Sequence, residues 1–93
     1  MHYLYIIHSK STDKFYIGET HNIAERLQKH NEHSYTNSFT KIASDWKLAL
    51  QFDCVNRDNA LLLERFIKKM KSRKFIEKII AQPNILQDIL TNQ

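Results

Sequence analysis

The single cysteine, glycine and proline among the 93 residues exclude several classes of protein. Cys54 alone cannot make an internal disulfide or a multi-thiolate zinc site, so we expect a buried strand thiol and a reducing, cytoplasmic setting. The longest apolar runs, 3–7 and 60–63, are far shorter than the ~20 residues that span a membrane. No basic stretch precedes the first run and no small-residue cleavage site follows it, which argues against a signal peptide. We therefore expect neither a disulfide scaffold nor a membrane protein.

The scarcity of glycine draws attention to Gly18. Average usage would give about six or seven glycines in a chain of this length, so the one that is present needs a reason. A glycine at the end of a strand marks a bulge or the close approach of another group, and it can equally turn the chain into a following helix. Taken alone, the position favours the turn.

Positive charge is concentrated in one segment. The net charge is +4, and residues 65–78 hold seven of the 14 Lys and Arg against one acid. Such a one-sided distribution favours a polyanionic partner, although a solvated lysine-rich helix face explains it equally well. The candidate nucleic-acid-binding residues of this segment are Arg65, Lys68, Lys69, Lys71, Arg73 and Lys74.

Hydrophobic patterning predicts three strands and four helices in an α+β fold. Short segments rich in Tyr, Ile and Phe predict a hairpin over 2–8 and 14–19, and alternation predicts a third strand over 46–54. Helix formers and capping residues predict helices over 22–32, from an Asn56 or Asp58 cap to Lys71, over 73–81, and in a short stretch after Pro83. The order β-β-α-β-α-α with a short last helix predicts a small three-stranded antiparallel or mixed sheet flanked by helices.

The chain shows no repeat, low-complexity tract or Gly/Ser-rich linker. We therefore predict a single domain over 1–93, with a core of about 2–80 and a C-terminal helical extension over 83–93. Residues 33–45, rich in Ser, Thr and Asn, are predicted to form a loop.

Two tyrosines occupy the two arms of the predicted hairpin. Tyr5 and Tyr16 flank a turn centred near Ser11, so they are expected to lie near each other on the sheet. Tyrosines in a hairpin are most often packing residues. A phenol, with an ordinary pKa of ~10, becomes a useful base only beside cations or a metal ion.

The first helix carries a cationic pair. Arg26 and His30 are four residues apart, so their side chains project side by side, while Ile23 and Leu27 face the core. Arginine can clamp a phosphate and a neighbouring histidine can hold a proton. An ordinary solvated helix face is the simpler interpretation without other support.

Glu64 lies at the rim of an apolar helix face. The core of this helix is predicted to comprise Leu62, Leu63, Phe66, Ile67 and Met70. A rim carboxylate suits one ligand of a water-rich Mg²⁺. Lys68, four residues later, offers a surface ion pair instead, and the residues alone favour that pair.

Together these residues resemble the GIY-YIG nuclease family. The first motif reads Tyr3-Leu4-Tyr5, and the second, Tyr16-Ile17-Gly18, is intact. The family's next block is similar to the pattern formed here by Gly18, Thr20, Ile23, Arg26, His30 and Asn31. The later helix with one acid followed by lysines points to Glu64. The resemblance covers about residues 2–80 and is closest to small stand-alone bacterial members.

The resemblance implies a metal-dependent phosphodiester hydrolase with one Mg²⁺ or Mn²⁺ ion. By analogy, Tyr5 draws a proton from the attacking water, and His30 helps the proton transfer. Tyr16 hydrogen-bonds the water or phosphate and can exchange roles with Tyr5. Arg26 binds the scissile phosphate, and Glu64 holds the metal. Gly18, Thr20 and Asn31 would be structural residues at the site. A charged His30, Arg26 and the metal would together lower the pKa of a tyrosine.

Two positions depart from the family pattern. Tyr3 stands where the name-giving motif has glycine, and Asn84, twenty residues after Glu64, is not assigned to the asparagine that some relatives use.

The expected substrate is DNA, single-stranded or branched rather than a defined sequence, with RNA as an open alternative. Segment 65–78 would bind phosphates without reading bases. Tyr35, Phe39 and Trp46 could stack on unpaired bases, although core packing is expected for Trp46. The main alternative is a catalytically inactive module that binds nucleic acid or a repair partner, and a helical interaction protein is the third. The oligomeric state stays open, since Ile and Leu at 85–90 could pack on the core or on a second copy.

Overall fold

The computed structural model describes residues 1–32 and 42–92 and contains three strands and four helices within them. Their bounds are β1 His2–Ser9, β2 Lys14–Thr20, α1 Ile23–Asn31, β3 Trp46–Cys54, α2 Arg57–Met70, α3 Arg73–Ala81 and α4 Asn84–Thr91. The predicted α+β class and chain order are confirmed. Most of the predicted loop over 33–45, with Tyr35 and Phe39, lies outside the described residues.

The sheet is antiparallel throughout, with β1 between the two edge strands β2 and β3. In the hairpin, Tyr5 pairs with Gly18, and Tyr16 pairs with Ile7. Because side chains alternate along a strand, Tyr5 and Tyr16 lie on the same face of the sheet.

A bulge in β3 changes which face its side chains occupy. Ile6 pairs with Leu50 and Ile7 pairs with Leu48, so Ala49 is an extra residue. Trp46 consequently packs with Tyr5 on one face, whereas Leu50 packs on the other. The third strand was predicted, but the alternation of its residues did not reveal that the bulge moves its side chains to the other face.

The two faces of the sheet carry separate apolar clusters. Helices α2, α3 and α4 cover the face of Leu4 and Ile6, whereas α1 covers the face of Tyr5. Ile23 and Leu27 of α1 pack against the second cluster, as predicted. Trp46 and Cys54 are buried, as predicted.

The predicted core of α2 is partly wrong. The helix buries a narrow stripe of Ala60, Leu63 and Ile67 against the sheet. Residues on its flank therefore stay in contact with solvent, and Phe66 is 39% and Met70 47% exposed. The apolar residues of α4 behave differently, since Leu86 is fully buried and Ile85, Ile89 and Leu90 pack against the same cluster.

Side-chain caps fix where the helices begin. The side chains of Asn22, Asn56 and Ser72 accept hydrogen bonds from backbone N–H groups in the first turns of α1, α2 and α3. Helix α2 ends at Met70, and its C-cap Lys71 has a left-handed backbone with φ 49° and ψ 40°. Within the described residues, no helix is both long and apolar enough to cross a membrane.

Candidate active site

Gly18 makes room for the ring of Tyr5. A Cβ atom at residue 18 would lie 2.5 Å from the Tyr5 hydroxyl oxygen and 2.7 Å from Cζ of the same ring. Gly18 has no positive φ and lies inside β2, so its expected role in a turn is wrong. The glycine is required because a phenol crosses directly above its backbone.

The hydroxyl of Tyr5 contacts a histidine from α1. Its oxygen lies 2.8 Å from Nε2 of His30. Tyr5 is only 1% exposed and His30 only 2%, so the hydrogen bond is shielded from water. A short, buried contact between a phenol and an imidazole is a path for moving a proton.

Tyr16 completes an aromatic cluster with Tyr5 and His30. Its ring centroid lies 4.9 Å from the imidazole and 6.4 Å from the ring of Tyr5. Tyr16 is half-buried, whereas Tyr5 and His30 are buried. Of the two phenols, Tyr16 is the one that a molecule arriving from solvent meets first.

Burial makes His30 a neutral side chain. Desolvation, with a smaller contribution from the positive charge of Arg26, lowers the pKa of His30 to about 4. The expectation of a charged His30 is therefore wrong for the free protein at neutral pH. A bound phosphate would bring negative charge beside Arg26 and raise this pKa again.

Asn31 and Thr20 form hydrogen bonds at the two ends of α1. The side chain of Asn31 accepts a hydrogen bond from the backbone N–H of Trp46 at 2.7 Å and donates one to its carbonyl at 3.0 Å. The Thr20 hydroxyl accepts a hydrogen bond from the Asn22 N–H at 3.1 Å, where β2 passes into α1. These contacts fix both ends of α1, and therefore the position of His30.

Glu64 forms an ion pair with Lys68, and this lysine contacts the aromatic cluster. Its Oε2 lies 2.9 Å from Nζ of Lys68, and this ammonium lies 5.5 Å from the ring centroid of Tyr16. Helix α2 packs on the face opposite Tyr16, so Lys68 extends around the edge strand β2. The ion pair expected between Glu64 and Lys68 is present, and it links the carboxylate to Tyr16 through the lysine.

A family model for the GIY-YIG catalytic domain matches residues 1–78. The chain belongs to the GIY-YIG family. This is a family of nucleases, and the match includes every residue of the cluster described above. No curated protein and no solved structure matches the chain.

The GIY-YIG site contains one candidate metal ligand, Glu64. Its side chain is 21% exposed, and its Oε1 accepts no hydrogen bond from the described residues. Within that part of the chain, no group of three or more His, Cys, Asp and Glu side chains could enclose a metal ion. One accessible carboxylate fits a Mg²⁺ ion that keeps most of its water ligands. Asn84 begins α4 and is exposed, and its side chain forms no hydrogen bond within the described ranges.

Cations of the predicted basic segment line two different depressions. It spans the end of α2, the turn at Lys71 and the start of α3. Arg73 donates to the carboxylate of Asp13 at 2.6 Å and to its carbonyl at 2.8 Å, so its charge is already paired. Lys68, Lys71 and Arg73 line a cleft beside β2, whereas Arg65 lines a different depression on α2.

Two features of the site were not anticipated from the sequence. Lys14, outside the basic segment, lines the same cleft as Lys68. Lys68 also lies over the ring of Tyr16. Both positions result from the packing of α2 along β2, which the sequence does not reveal. The only local indication was the i, i+4 spacing of Glu64 and Lys68, which predicts their ion pair.

Proposed function

We propose that this GIY-YIG protein is a metal-dependent nuclease that hydrolyses phosphodiester bonds in DNA. The observation that carries the proposal is the buried hydrogen bond between the Tyr5 hydroxyl and Nε2 of His30, beside Tyr16. A phenol can act as a base only if its own proton has a place to go, and this geometry supplies that place.

Tyr5 and His30 transfer the proton of the attacking water. The Tyr5 hydroxyl donates its proton to the neutral Nε2 of His30, and the Tyr5 oxygen accepts a proton from a water molecule that substrate binding brings in past Tyr16. The water oxygen then bonds to phosphorus while the bond to the leaving ester oxygen breaks. That oxygen accepts a proton from solvent, to which His30 then releases its own. Tyr16, the more exposed phenol, hydrogen-bonds the water or a phosphate oxygen and orients it.

Arg26 binds the scissile phosphate. It lies one turn from His30 on α1, and its charge already acts on the imidazole. A guanidinium can contact two phosphate oxygens at once and stabilise the charge that develops on them. The bound phosphate in turn favours a protonated His30, so substrate binding and proton transfer support each other.

Glu64 is the residue that would hold a Mg²⁺ or Mn²⁺ ion. When bound, such an ion supplies Lewis-acid stabilisation of the phosphate and leaving oxygen. Lys68 forms an ion pair with this carboxylate in the free protein. Once a metal ion replaces it at Glu64, its ammonium would bind a phosphate oxygen. The carboxylate would therefore bind the metal ion, and the ammonium would bind the phosphate.

The substrate is recognised by its backbone and its local structure. All four helices of the described ranges pack into the clusters on the sheet, and the excess positive charge lies in one segment. Phosphate contacts position a protein on nucleic acid without reading bases. Cleavage of single-stranded or branched DNA is therefore favoured over cleavage at a defined sequence.

Cleavage of labelled single-stranded, duplex and branched DNA with Mg²⁺, Mn²⁺ or EDTA tests the proposal. Glu64→Gln should abolish metal-dependent cutting, because it removes the carboxylate charge that attracts the ion. The matched control is Asp88→Asn on α4, which makes the same charge change outside residues 1–78 and should cut as wild type does. Binding without cutting on every substrate would instead favour an inactive binding module.

A further inference from the structure

A cleft of about 600 Å³ lies between β2 and the corner where α2 meets α3. Its floor is apolar and consists of Phe15, Ile17, Ile67 and Ile76. Its rim is basic and consists of Lys14, Lys68, Lys71 and Arg73. The volume is within the range of about 300–1,000 Å³ that is usual for ligand sites. We refer to these eight residues as the basic cleft.

Two lysines of the basic cleft are available for an anion. Arg73 is paired with Asp13 and stacks on the ring of Phe15 at 4.9 Å. Lys14 and Lys71 are exposed, and neither has an ion-pair partner among the described residues. No carboxylate lines the cleft within the same part of the chain. The rim therefore presents positive charge around an apolar surface.

Lys71 occupies a position that does not favour a side chain. Its left-handed backbone, with φ 49°, follows the last turn of α2, where glycine is the usual residue. The side chain adds strain to the turn, because a Cβ is unfavourable in this conformation. A lysine here contributes a charge at the cleft rather than stability to the helix end.

The basic cleft is continuous with the active site through Lys68. The ammonium of this residue lies 2.9 Å from Glu64 Oε2 and 5.5 Å from the ring centroid of Tyr16, and the same side chain lines the cleft. Lys68 therefore connects the cleft, on the α2 side of the sheet, with the aromatic cluster on the other side.

We propose that the basic cleft binds an unpaired nucleotide of single-stranded DNA next to the bond that is cut. The inference rests on the proposed function and deepens it, since it names the strand that the site accepts. The base lies on the apolar floor, and Lys14 and Lys71 bind the phosphates on either side of it. A paired, stacked base in a duplex cannot enter the cleft.

Binding in EDTA, where no cleavage occurs, tests the role of the base. The probes are fluorescein-labelled oligothymidylate of ten nucleotides, an abasic strand of the same length, and a blunt duplex, followed by anisotropy. The strand with bases should bind at least about 5-fold more tightly than the abasic strand, as base contacts typically contribute this much. Equal affinity for the two strands would overturn the proposal.

Two variants test whether the strand binds in the cleft. Lys14→Gln and Lys71→Gly should each weaken binding of oligothymidylate about 3–10-fold and reduce the salt dependence by about one phosphate contact. Glycine adopts the left-handed conformation freely, so Lys71→Gly should melt at the same or a higher temperature than wild type. Lys47→Gln, on the opposite edge strand β3, makes the same charge change and should bind as wild type does.

The outcomes separate this inference from the proposed function. If Lys47→Gln weakens binding as much as Lys14→Gln, the attraction is diffuse and the cleft is not a site. If the wild type cuts no DNA but the cleft variants still lose base-dependent binding, the nuclease proposal fails and the cleft remains a single-strand site. If cutting depends on Glu64 but the cleft variants bind normally, the nuclease stands and the cleft proposal fails.

Discussion

At the scale of single residues, Gly18 has the clearest physical reason for its identity. Gly18→Ala places a Cβ 2.5 Å from the hydroxyl oxygen of Tyr5, a ring that is 1% exposed and cannot swing into solvent. We expect the variant to lose about 1–3 kcal/mol of unfolding free energy, as overpacked cores do. Urea denaturation of the variant and wild type measures the loss.

The effect of Gly18→Ala should depend on Tyr5. Tyr5→Phe removes the nearest atom, so the alanine should be less destabilising in that background than in the wild type. If Gly18→Ala left the free energy of unfolding unchanged in both backgrounds, the ring of Tyr5 would not lie over residue 18.

The burial of His30 predicts a loss of stability in mild acid. Its pKa is about 4 in the folded protein and ~6.5 in an unfolded chain, so the unfolded state binds more protons between these values. The contribution of His30 to the free energy of unfolding is therefore fully present above about pH 6.5 and decreases as the pH falls towards 4. The free energy of unfolding should drop by about 2 kcal/mol between pH 7 and pH 5, measured by urea denaturation across this range.

His30→Gln provides the control for this pH dependence. Glutamine does not titrate, so the variant should show a much smaller change between pH 7 and pH 5. Asp45, whose pKa is lowered to about 2 chiefly by the Ser9 hydroxyl, adds its own loss of stability only below about pH 4. An equal slope in the variant and wild type would mean that His30 does not titrate as its burial requires.

At the scale of secondary-structure elements, one side chain joins α1 to β3. Asn31→Ala removes both hydrogen bonds to the backbone of Trp46 and leaves its N–H and C=O without these partners. The expected cost is about 1–3 kcal/mol, because two hydrogen bonds to buried backbone groups are lost. Thermal or urea denaturation measures it.

Asn31→Asp gives a graded comparison. The aspartate can still accept from the Trp46 N–H but cannot donate to the Trp46 carbonyl, so its cost should be smaller than that of the alanine. Gln28→Ala, on the exposed surface of α1, should change stability little. If all three variants were as stable as wild type, α1 would not be held by Asn31.

The elements themselves were largely predictable from local sequence. The strands and helices lie within one or two residues of their expected bounds, since Asn22, Asn56 and Ser72 are strong capping residues at the correct spacing. The bulge at Ala49 was not predictable, because the alternation of β3 gives no sign of an extra residue. The narrow buried stripe of α2 likewise depends on where the helix meets the sheet.

The resemblance named candidate residues for the site but not their arrangement. The resemblance named Tyr5, Tyr16, Arg26, His30 and Glu64 as candidates. It did not indicate that His30 is neutral, since burial is a tertiary property. The position of Lys68 over the ring of Tyr16 also depends on packing between elements far apart in the chain.

At the scale of the whole molecule, α4 is part of the core although the family match ends at residue 78. Leu86 is fully buried in the cluster formed by α2, α3 and the sheet. Leu86→Ala should cost about 2–5 kcal/mol, a large share of the stability of a small domain. Thermal denaturation should show a marked decrease in melting temperature.

Leu48→Ala is the matched control for Leu86→Ala. It removes the same atoms from a side chain that is 41% exposed on β3, and its cost should be much smaller. Equal stability of the Leu86→Ala variant and wild type would mean that residues 84–91 do not contribute to the core.

The rate of single-strand cleavage by Tyr5→Phe is the measurement that tests the central claim most directly. Removing the hydroxyl that contacts His30 should lower the single-turnover rate with Mg²⁺ by about 10²-fold or more, while urea denaturation shows a folded protein. Tyr3→Phe removes a hydroxyl two residues away on the same strand and should cut at the wild-type rate. Wild-type cleavage by Tyr5→Phe would contradict the account, because the Tyr5–His30 pair would then have no part in the reaction.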